Sequence, residues 1–578
     1  MLLAGNGGSL RLSGVCQMKN SPLGNRLLLY VRTASHLKLT QIAFMILRRL
    51  FPAGRHRLNS GAIVLRQGVR ILCDPIPARP SGFDTEFRFL NVTKTFIDSA
   101  IDWKSSEMPK LWRYNLQYFD YLLAEDRSLE SKCQLISHWI PTNPPGTADA
   151  WEPYTVSLRI VNWIKFFLKE PARVKTEWLE SLCLQALWLE HNIEYHILAN
   201  HYFKNGKALF FAGVFFESDD ATRWLRKGVK ILTQEAEEQF LPDGGHYERS
   251  PMYHSICLED CLDVLNLMKA NPNVVSQEVV SRLTEKANRA LDFLHDVCLP
   301  DGEIPLFNDS AFGIAPAPSR LVDYARRVSG YERTSPSPNL IVIEKTESGY
   351  YGIRSGGDMM ILDCGGVGPD YQPGHAHCDT LSYELALDGQ RVIVDSGVYD
   401  YEAGSCRRYA RSTKGHNTVS VDGQEQSEIW GVFRVARRAY PIGAVIAKLS
   451  GDRVRFEGAH DGFSRLPGRI IHRRVIDYDG RGVWTVLDKL TGMGNHHAES
   501  YIHLHPDFSA RNGRDCIEIL TKDGKTIGRL EVIGNASISF ESRQYFPEFG
   551  IEHKNEVIVL SCFGRLPLEF GYRIIKEP

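Results

Sequence analysis

The sequence predicts an α+β fold in which a helical part is followed by an antiparallel β part. The chain has 578 residues, which is too long for one hydrophobic core and indicates two or three domains. From about residue 89 to 327 apolar residues recur every three or four positions, whereas after residue 340 the period becomes two. Helices in one block and strands in another favour separate layers over an alternating parallel sheet.

Helical periodicity is clearest in four segments: residues 178–193, 221–240, 253–269 and 277–297. Two of them are followed by the same Leu-Pro-Asp-Gly signal, at residues 241–244 and 299–302. Proline and glycine stop helices, so the repetition predicts helical hairpins stacked in an all-α layer, with closure into a ring left open.

The strands follow a stretch that is rich in proline and serine. Ala-Pro-Ala-Pro at 315–318 and Ser-Pro-Ser-Pro at 335–338 predict an interdomain linker. The predicted strands are residues 359–363, 381–387, 391–394, 418–421, 454–457, 483–487 and 557–562. Asp-Gly turns at 388–389, 422–423 and 523–524 separate several of them. This part is large enough for a sandwich of two or more sheets.

The composition limits the classes of partner. A net charge of −1 with 24% charged residues gives no general affinity for polyanions, so no nucleic-acid partner is expected, although local basic patches remain open. Twelve cysteines show no CxxC pair and indicate reduced thiols, which does not exclude export.

The N-terminal region is basic, since no acidic residue occurs from Met1 to Cys73. Its most apolar run, residues 42–51, contains Arg48 and Arg49 and is too short to span a bilayer. No signal peptide of the usual form is evident, and Met18 is an alternative start. Two interpretations stay open: a basic helical arm, or an amphipathic segment that rests on a membrane surface or an acidic partner.

Histidines and carboxylates concentrate in the β part. His375 and His377 are two residues apart, so in a strand they share one face. His377, Asp395 and His416 predict a metal site with two imidazoles and one carboxylate, which leaves His375 for proton transfer. The alternative is that they are ordinary hydrogen-bonded polar residues.

Two further clusters lie in the helical part. Asn200 and His201 stand between apolar helical stretches, and residues 244–254 form a loop that leads into a helix and contains Tyr253. Loops on a rigid scaffold often carry catalytic groups. Each cluster also has a local interpretation, Asn200 as a helix cap and Tyr253 as a half-buried aromatic residue.

Taken together, the clusters resemble the heparinase II/III-like polysaccharide lyases. The matching motifs are Asn200-His201, Glu248-Arg249-Ser250-Pro251-x-Tyr253-His254, Gly374-His375-x-His377-x-Asp379, Val394-Asp395-Ser396-Gly397 and His416-Asn417-Thr418-Val419. The resemblance implies an incomplete α/α toroid followed by a multi-layered antiparallel β-sandwich. The expected division is a basic arm at 1–85, the toroid at 86–330 and the β-sheet domain at 340–578.

The resemblance also implies residue roles in β-elimination on a uronic-acid-containing polysaccharide, which leaves a 4,5-unsaturated uronate. Tyr253 would be the general base and could also serve as the acid, and His375 would be a proton donor or a partner for the leaving group. Asn200 and His201 would neutralise the substrate carboxylate. His377, Asp395 and His416 would hold one structural divalent metal, with zinc as the expected ion. The family further implies a periplasmic or envelope location, with the cytoplasm as the alternative.

Tyrosine has a pKa of about 10, so a tyrosine base needs positive charge nearby. The candidates are His201, His254, Arg249 and His375. An acidic polysaccharide also needs aromatic platforms and cations. Trp112, Tyr114, Trp151, Tyr154 and Arg159 fit either that role or helix packing, and Arg407, Arg408 and Arg411 fit either anion binding or a solvated loop.

Three other functions stay open. A metal-dependent hydrolase is disfavoured because Thr380 stands where a further histidine is needed. A glycoside hydrolase would use two carboxylates, for which Glu152, Glu248 and Asp243 are available. A non-catalytic polysaccharide-binding protein would not need Tyr253 and His375 together.

Overall fold

The structure is a computed structural model that describes residues 22–50, 63–97, 101–333 and 339–577. The helices in these ranges are α1 Pro22–Ala34, α2 Leu39–Leu50, α3 Lys110–Tyr118, α4 Leu129–Thr142, α5 Pro153–Lys169, α6 Thr176–His191, α7 Ala199–Phe215, α8 Asp219–Gln239, α9 Pro251–Ala270, α10 Gln277–Val297, α11 Pro318–Ser329 and α12 Ser405–Arg411.

The strands in the same ranges are β1 Glu86–Phe89, β2 Val92–Thr95, β3 Leu340–Lys345, β4 Tyr350–Ser355, β5 Asp358–Asp363, β6 Tyr383–Leu387, β7 Gln390–Ile393, β8 Val419–Val421, β9 Ile429–Trp430, β10 Arg434–Val435, β11 Pro441–Lys448, β12 Val454–His460, β13 Ile471–Tyr478, β14 Val483–Thr491, β15 Asn495–His503, β16 Phe508–Asn512, β17 Ile517–Thr521, β18 Thr526–Ile533, β19 Ser537–Tyr545, β20 His553–Arg565 and β21 Leu568–Lys576.

Every strand pair within these sheets is antiparallel. Three larger sheets build the described β part, in the orders β3-β4-β5-β6-β7, β11-β12-β13-β14-β21-β18-β17-β16 and β19-β20-β15-β8, and β9 pairs with β10 in a small fourth sheet. The predicted fold class, helices followed by an antiparallel β-sandwich, is confirmed. Closure of the helical layer into an incomplete toroid stays a prediction.

The predicted helices are also confirmed, as α6, α8, α9 and α10. Helix α8 shows why the sequence folds locally: the Ser218 side chain accepts from the Ala221 N–H, and two aspartates occupy the first turn. Trp224, Ile231 and Leu232 then enter the core at helical spacing.

The predicted linker is wrong at residues 315–318. Pro318 is the first residue of α11, a position where proline costs no hydrogen bond. Leu321 and Tyr324 of this helix are buried in the helical core, so the Ala-Pro run leads into a further helix and does not end the domain. The Ser-Pro run at 335–338 lies outside the described residues.

A hydrophobic contact joins the two parts. Phe293 and Val297, at the end of α10, share one buried cluster with Tyr350, Met359 and Ile361 of the first β sheet. Each part also has its own larger core. The apolar seam fixes the helical part against the β part, so residues from both can form one site.

Helices α1 and α2 contact both parts of the chain. The Gln41 side-chain amide donates to the backbone oxygens of Ile197 and Tyr371, at 3.4 and 3.2 Å. Arg32 pairs with Glu428 of the β part at 2.9 Å. Among the described residues, no helix has the length and apolar character needed to cross a bilayer.

Candidate active site

A cavity of about 1280 Å³ lies between the helical part and the β part. Asn200, His201, Tyr253 and His375 all line it. The first three belong to helices α7 and α9, whereas His375 lies between strands β5 and β6. The structure therefore gathers the four residues predicted to act on substrate around one space.

The start of α7 positions Asn200. Leu198 and Ala199 precede it with φ of 66° and 54°, a left-handed conformation that is costly for residues with a side chain. The Asn200 backbone N–H donates to Glu248 Oε1 at 3.0 Å, and its side-chain amide donates to both Glu248 oxygens at 3.0 and 3.1 Å. Leu198 is the N-cap, so the alternative that Asn200 caps the helix is wrong. The Asn200 Oδ1 has no hydrogen-bond partner.

His201 is held through one ring nitrogen. Its Nδ1 lies 3.1 Å from Glu194 Oε1, and its ring centroid lies 4.3 Å from that of Tyr154. Burial raises the pKa of Glu194, but His201 and the Asn205 amide bring it below the usual value. The ionised carboxylate therefore orients an imidazole that faces the cavity.

Tyr253 lies in the first turn of α9. Ser250 caps this helix by accepting from the Tyr253 N–H at 3.2 Å, and its own hydroxyl donates to the backbone oxygen of Asp309 at 2.6 Å. The Tyr253 ring stacks on His375 with 3.8 Å between ring centroids and 27° between the planes. Its hydroxyl lies 3.3 Å from the Tyr401 hydroxyl. Tyr253 is thus fixed at both its backbone and its ring.

The surroundings of Tyr253 favour the neutral phenol. Burial raises its pKa, and the carboxylates of Asp309 and Glu248 raise it further. The Tyr401 hydroxyl and Arg407 act in the opposite direction without reversing the shift. Deprotonation of Tyr253 therefore needs positive charge that faces its ring or hydroxyl.

Two of the four predicted sources of that charge are wrong. His254 Nε2 lies 3.0 Å from the Ala290 backbone oxygen, and burial lowers the pKa of His254 to about 4, so the ring is neutral. Arg249 donates to the Glu347 backbone oxygen at 3.2 Å. Neither residue lines the cavity. Successive helical residues point about 100° apart, so the neighbour of Tyr253 faces the core.

His375 does face Tyr253, and two carboxylates hold it. Its Nδ1 lies 2.8 Å from Asp309 Oδ2, and its Nε2 lies 3.2 Å from Glu248 Oε2. A ring with a proton on each nitrogen satisfies both acceptors. Such a ring places positive charge directly against the Tyr253 phenol.

The sequence analysis did not select Asp309, although it joins the parts of the site. Besides His375, it contacts His377 Nε2 at 2.8 Å and both terminal nitrogens of Arg407, with Oδ2 at 2.9 Å from one of them. Burial raises the pKa of Asp309, but Arg407 and the two histidines hold it well below its usual range. No motif in Asn308-Asp309-Ser310 marks this role.

Two of the three arginines before His416, Arg407 and Arg411, have neither of the two roles that were left open, because both are buried. Arg407 is buried against Asp309, and buried Arg411 donates to the backbone oxygens of Ala376 and Val432 at 3.1 and 2.8 Å. Arg408 is exposed. The two buried guanidinium groups fix the segment that carries His375.

The strand predicted for His375 and His377 is absent, since residues 375–377 form an irregular segment between β5 and β6. Pro373 and Gly374 precede them and favour a turn. The two histidines nevertheless lie side by side because both contact Asp309.

A possible metal site lies next to this segment. His377, Asp379 and His416 are buried, and one ligand atom from each lies within 4.8 Å of the others. His377 Nδ1 and His416 Nε2 are buried without a hydrogen-bond partner. Two unpaired imidazole nitrogens beside a carboxylate are the donor set of a divalent transition metal, so the residues fit such an ion.

Asp395, the carboxylate predicted as a ligand, is not in that group of atoms. Its Oδ2 lies 2.7 Å from His416 Nδ1. Asp309 makes the equivalent contact with His377 Nε2. Each histidine thus uses one nitrogen for a carboxylate and leaves the other without a hydrogen-bond partner, an arrangement that orients metal-binding imidazoles.

The aromatic residues proposed for substrate binding divide into two groups. Trp112, Trp151 and Arg159 are buried in the helical part, where Arg159 contacts Gln185 at 2.9 Å. Tyr114 and Tyr154 line the cavity. Packing therefore explains the tryptophans, and the two tyrosines remain available to a ligand.

The carboxylates considered for a hydrolase are engaged elsewhere. Asp243 accepts from the Ser348 N–H and hydroxyl at 2.8 and 2.9 Å and does not line the cavity. Glu152 accepts from the Tyr114 hydroxyl. Glu248 is bound to Asn200 and His375, so these residues do not form a pair that faces the cavity.

Two family models match this chain, and together they span most of it. Heparinase II/III N-terminus matches residues 79–325, and Heparinase II/III-like, C-terminal matches residues 342–567. The matched regions contain every site residue discussed above.

Known proteins agree with these matches. A heparin-sulfate lyase of Pedobacter heparinus is 27% identical over 50% of this chain and 47% of its own length, and one of Bacteroides thetaiotaomicron is 25% identical over 66% and 57%. This chain thus spans about half the length of the curated relatives it matches. The crystal structure of heparinase III shares the fold, with a TM-score of 0.64 at 19% identity over 83% of this chain and 79% of that one. The chain belongs to the heparinase II/III-like family.

Proposed function

We propose that this chain is a polysaccharide lyase that cleaves a uronic-acid-containing polysaccharide by β-elimination. The observation that carries the proposal is the stacked pair of Tyr253 and His375, which shares one cavity with Asn200 and His201. The heparin-sulfate lyases among the relatives support an acidic polysaccharide as the substrate class.

The reaction begins with loss of the proton on C5 of the uronate. This carbon is a poor acid while the adjacent carboxylate is charged, so groups that neutralise the carboxylate stabilise the transition state. The amide donors of Asn200 are engaged by Glu248, which leaves Oδ1 to accept from a protonated substrate carboxyl group. Protonated His201 would supply that proton by transferring it from Nε2 to the carboxylate.

We assign removal of the C5 proton to Tyr253. The phenol must first release its own proton to the solvent of the cavity, and a His375 ring with a proton on each nitrogen would lower the cost of the resulting phenolate. The electron pair of the C5–H bond forms the C4–C5 double bond, and the bond from C4 to the leaving oxygen breaks. Tyr253 or His375 then returns a proton to that oxygen.

We further propose zinc as the metal held by His377, Asp379 and His416, with Asp395 orienting His416. Two imidazoles and a carboxylate suit this ion. When bound, the metal would supply a fixed positive charge that holds the irregular segment after His375. The proton transfers themselves are assigned to Tyr253 and His375.

The test incubates the purified chain with a panel of uronic-acid polysaccharides and follows the ultraviolet absorbance of unsaturated uronate. Absorbance that rises with the native chain and not with Tyr253→Phe supports the proposal. New reducing ends without that absorbance would show hydrolysis and refute it. Binding of a polysaccharide without any cleavage would indicate a binding protein.

A further inference from the structure

Helix α2 packs on the protein through its more polar face. Gln41 is 2% exposed, and Phe44 and Arg48 are half-buried on the same side. Their partners are the backbone oxygens of Ile197, Tyr371 and Asn192, the imidazole of His196 and the ring of Tyr195. These residues recur at positions 41, 44 and 48, the spacing of one helical face.

The opposite face of α2 is apolar and faces outward. Its exposed residues are Leu39 at 84%, Ile42 at 36%, Met45 at 49%, Ile46 at 54%, Leu47 at 46% and Leu50 at 66%. Helix α1 adds Leu27 at 62%, Tyr30 at 51% and Val31 at 57%. A surface helix normally turns its apolar stripe to the core, so this pair of helices is inverted. Exposed apolar side chains collected in this number on surface helices indicate an interaction site.

The part of the sequence that contains both helices carries charge of one sign. Residues 1–73 contain eleven lysines and arginines and no acidic residue, although the whole chain carries a net charge of −1. Arg26 and Arg49 are exposed beside the apolar residues. A second copy of the chain would bring two basic regions together, whereas an anionic surface would complement them.

We propose that the apolar face of α1 and α2 docks on the surface of an anionic lipid bilayer. The helices have 13 and 12 residues, so they would lie in the plane of the interface. Their apolar side chains would enter the acyl boundary while the arginines meet the lipid headgroups. The proposal rests on the N-terminal helices alone and is independent of the reaction in the cavity.

The test measures binding of the 578-residue chain to vesicles by flotation. One set of vesicles is phosphatidylcholine, and the other is phosphatidylcholine with phosphatidylglycerol. The informative variant is Ile46→Glu on α2. The matched control is Val445→Glu on β11, because Val445 is 56% exposed and Ile46 is 54% exposed. Leu39→Gln is a second informative variant, and circular dichroism checks that each protein is folded.

We expect the native chain to bind the anionic vesicles. Binding should be about tenfold weaker or more to neutral vesicles, in added salt, and for the variants Ile46→Glu and Leu39→Gln. Val445→Glu should bind like the native chain. Absence of binding, or equal binding by Ile46→Glu and the native chain, would overturn the proposal. A lipid-free dimer that Ile46→Glu converts to a monomer would assign the surface to a second copy and also overturn it.

Discussion

The imidazole of His375 lies against the phenol ring of Tyr253, with 3.8 Å between the ring centroids. The contact places a residue of the β part on the first turn of a helix from the other part. Because Asp309 and Glu248 bind the two nitrogens of His375, the ring can slide over Tyr253 only if both hydrogen bonds break.

Replacing Tyr253 by phenylalanine should lower the turnover number about 100- to 10,000-fold, because the ring still packs but no oxygen remains to take the C5 proton. The measurement is the rate of unsaturated-uronate absorbance at saturating substrate. Tyr401→Phe is the matched control, since it removes the hydroxyl 3.3 Å away, and it should reduce turnover much less. A larger loss in Tyr401→Phe would place the base at Tyr401.

Glu248→Gln should lower the turnover number up to about a hundredfold with little change in KM. Glutamine has nearly the same size, but it cannot accept from both the Asn200 amide and His375 as a carboxylate does. Glu194→Gln is the control. Of the two residues proposed to neutralise the substrate carboxylate, Asn200 and His201, Glu194 contacts only His201. An effect of Glu248→Gln on KM alone would contradict a positioning role.

The metal content of two variants should show whether Asp379 or Asp395 is the metal ligand. Asp379→Asn should abolish metal retention after dialysis, because it removes the charge of a ligand. Asp395→Asn should weaken retention about 10- to 100-fold, because it loosens only the orientation of His416. Elemental analysis of each purified chain measures the outcome. The reverse order would restore Asp395 as the ligand.

The free energy of unfolding should fall as the pH drops from about 6.5 to about 4. Burial lowers the pKa of His254 from 6.5 to about 4, so in this window the unfolded chain binds the proton and the folded chain does not. The contribution of His254 to the free energy of unfolding is complete above about pH 6.5. About 3 kcal/mol of it is lost as the pH falls to about 4.

His254→Gln keeps a donor for the Ala290 oxygen and cannot titrate, so its stability should depend less steeply on pH. Denaturant unfolding of both chains at several pH values gives the comparison. Equal slopes for the two proteins would show that His254 does not carry this dependence.

Local periodicity was enough to predict the helices and most strands, because apolar spacing follows directly from which face is buried. It failed at His375 and His377, where an irregular segment is held by side chains distant in sequence. The bond between His375 and Asp309 spans 66 positions, and that between Asn200 and Glu248 spans 48. No local pattern specifies such partners.

The candidate metal ligands show the same limit. Asp379 and Asp395 stand in two of the matching motifs, and both lie beside His416 in the fold. Which carboxylate meets the unpaired nitrogens depends on the path of the irregular segment, and that path is set by buried Arg407 and Arg411. Sequence spacing alone gives no preference between them.

The Asp309 carboxylate contacts His375 through one oxygen and His377 through the other. Replacement of Asp309 during evolution would therefore change the position of His375 and, at the same time, loosen the candidate metal site at His377. Tyr253 has no such double role, because its ring stacks on His375 and its hydroxyl meets that of Tyr401. Loss of the proposed lyase activity should therefore begin with substitution of Tyr253, and a relative that only binds polysaccharide should still retain Asp309.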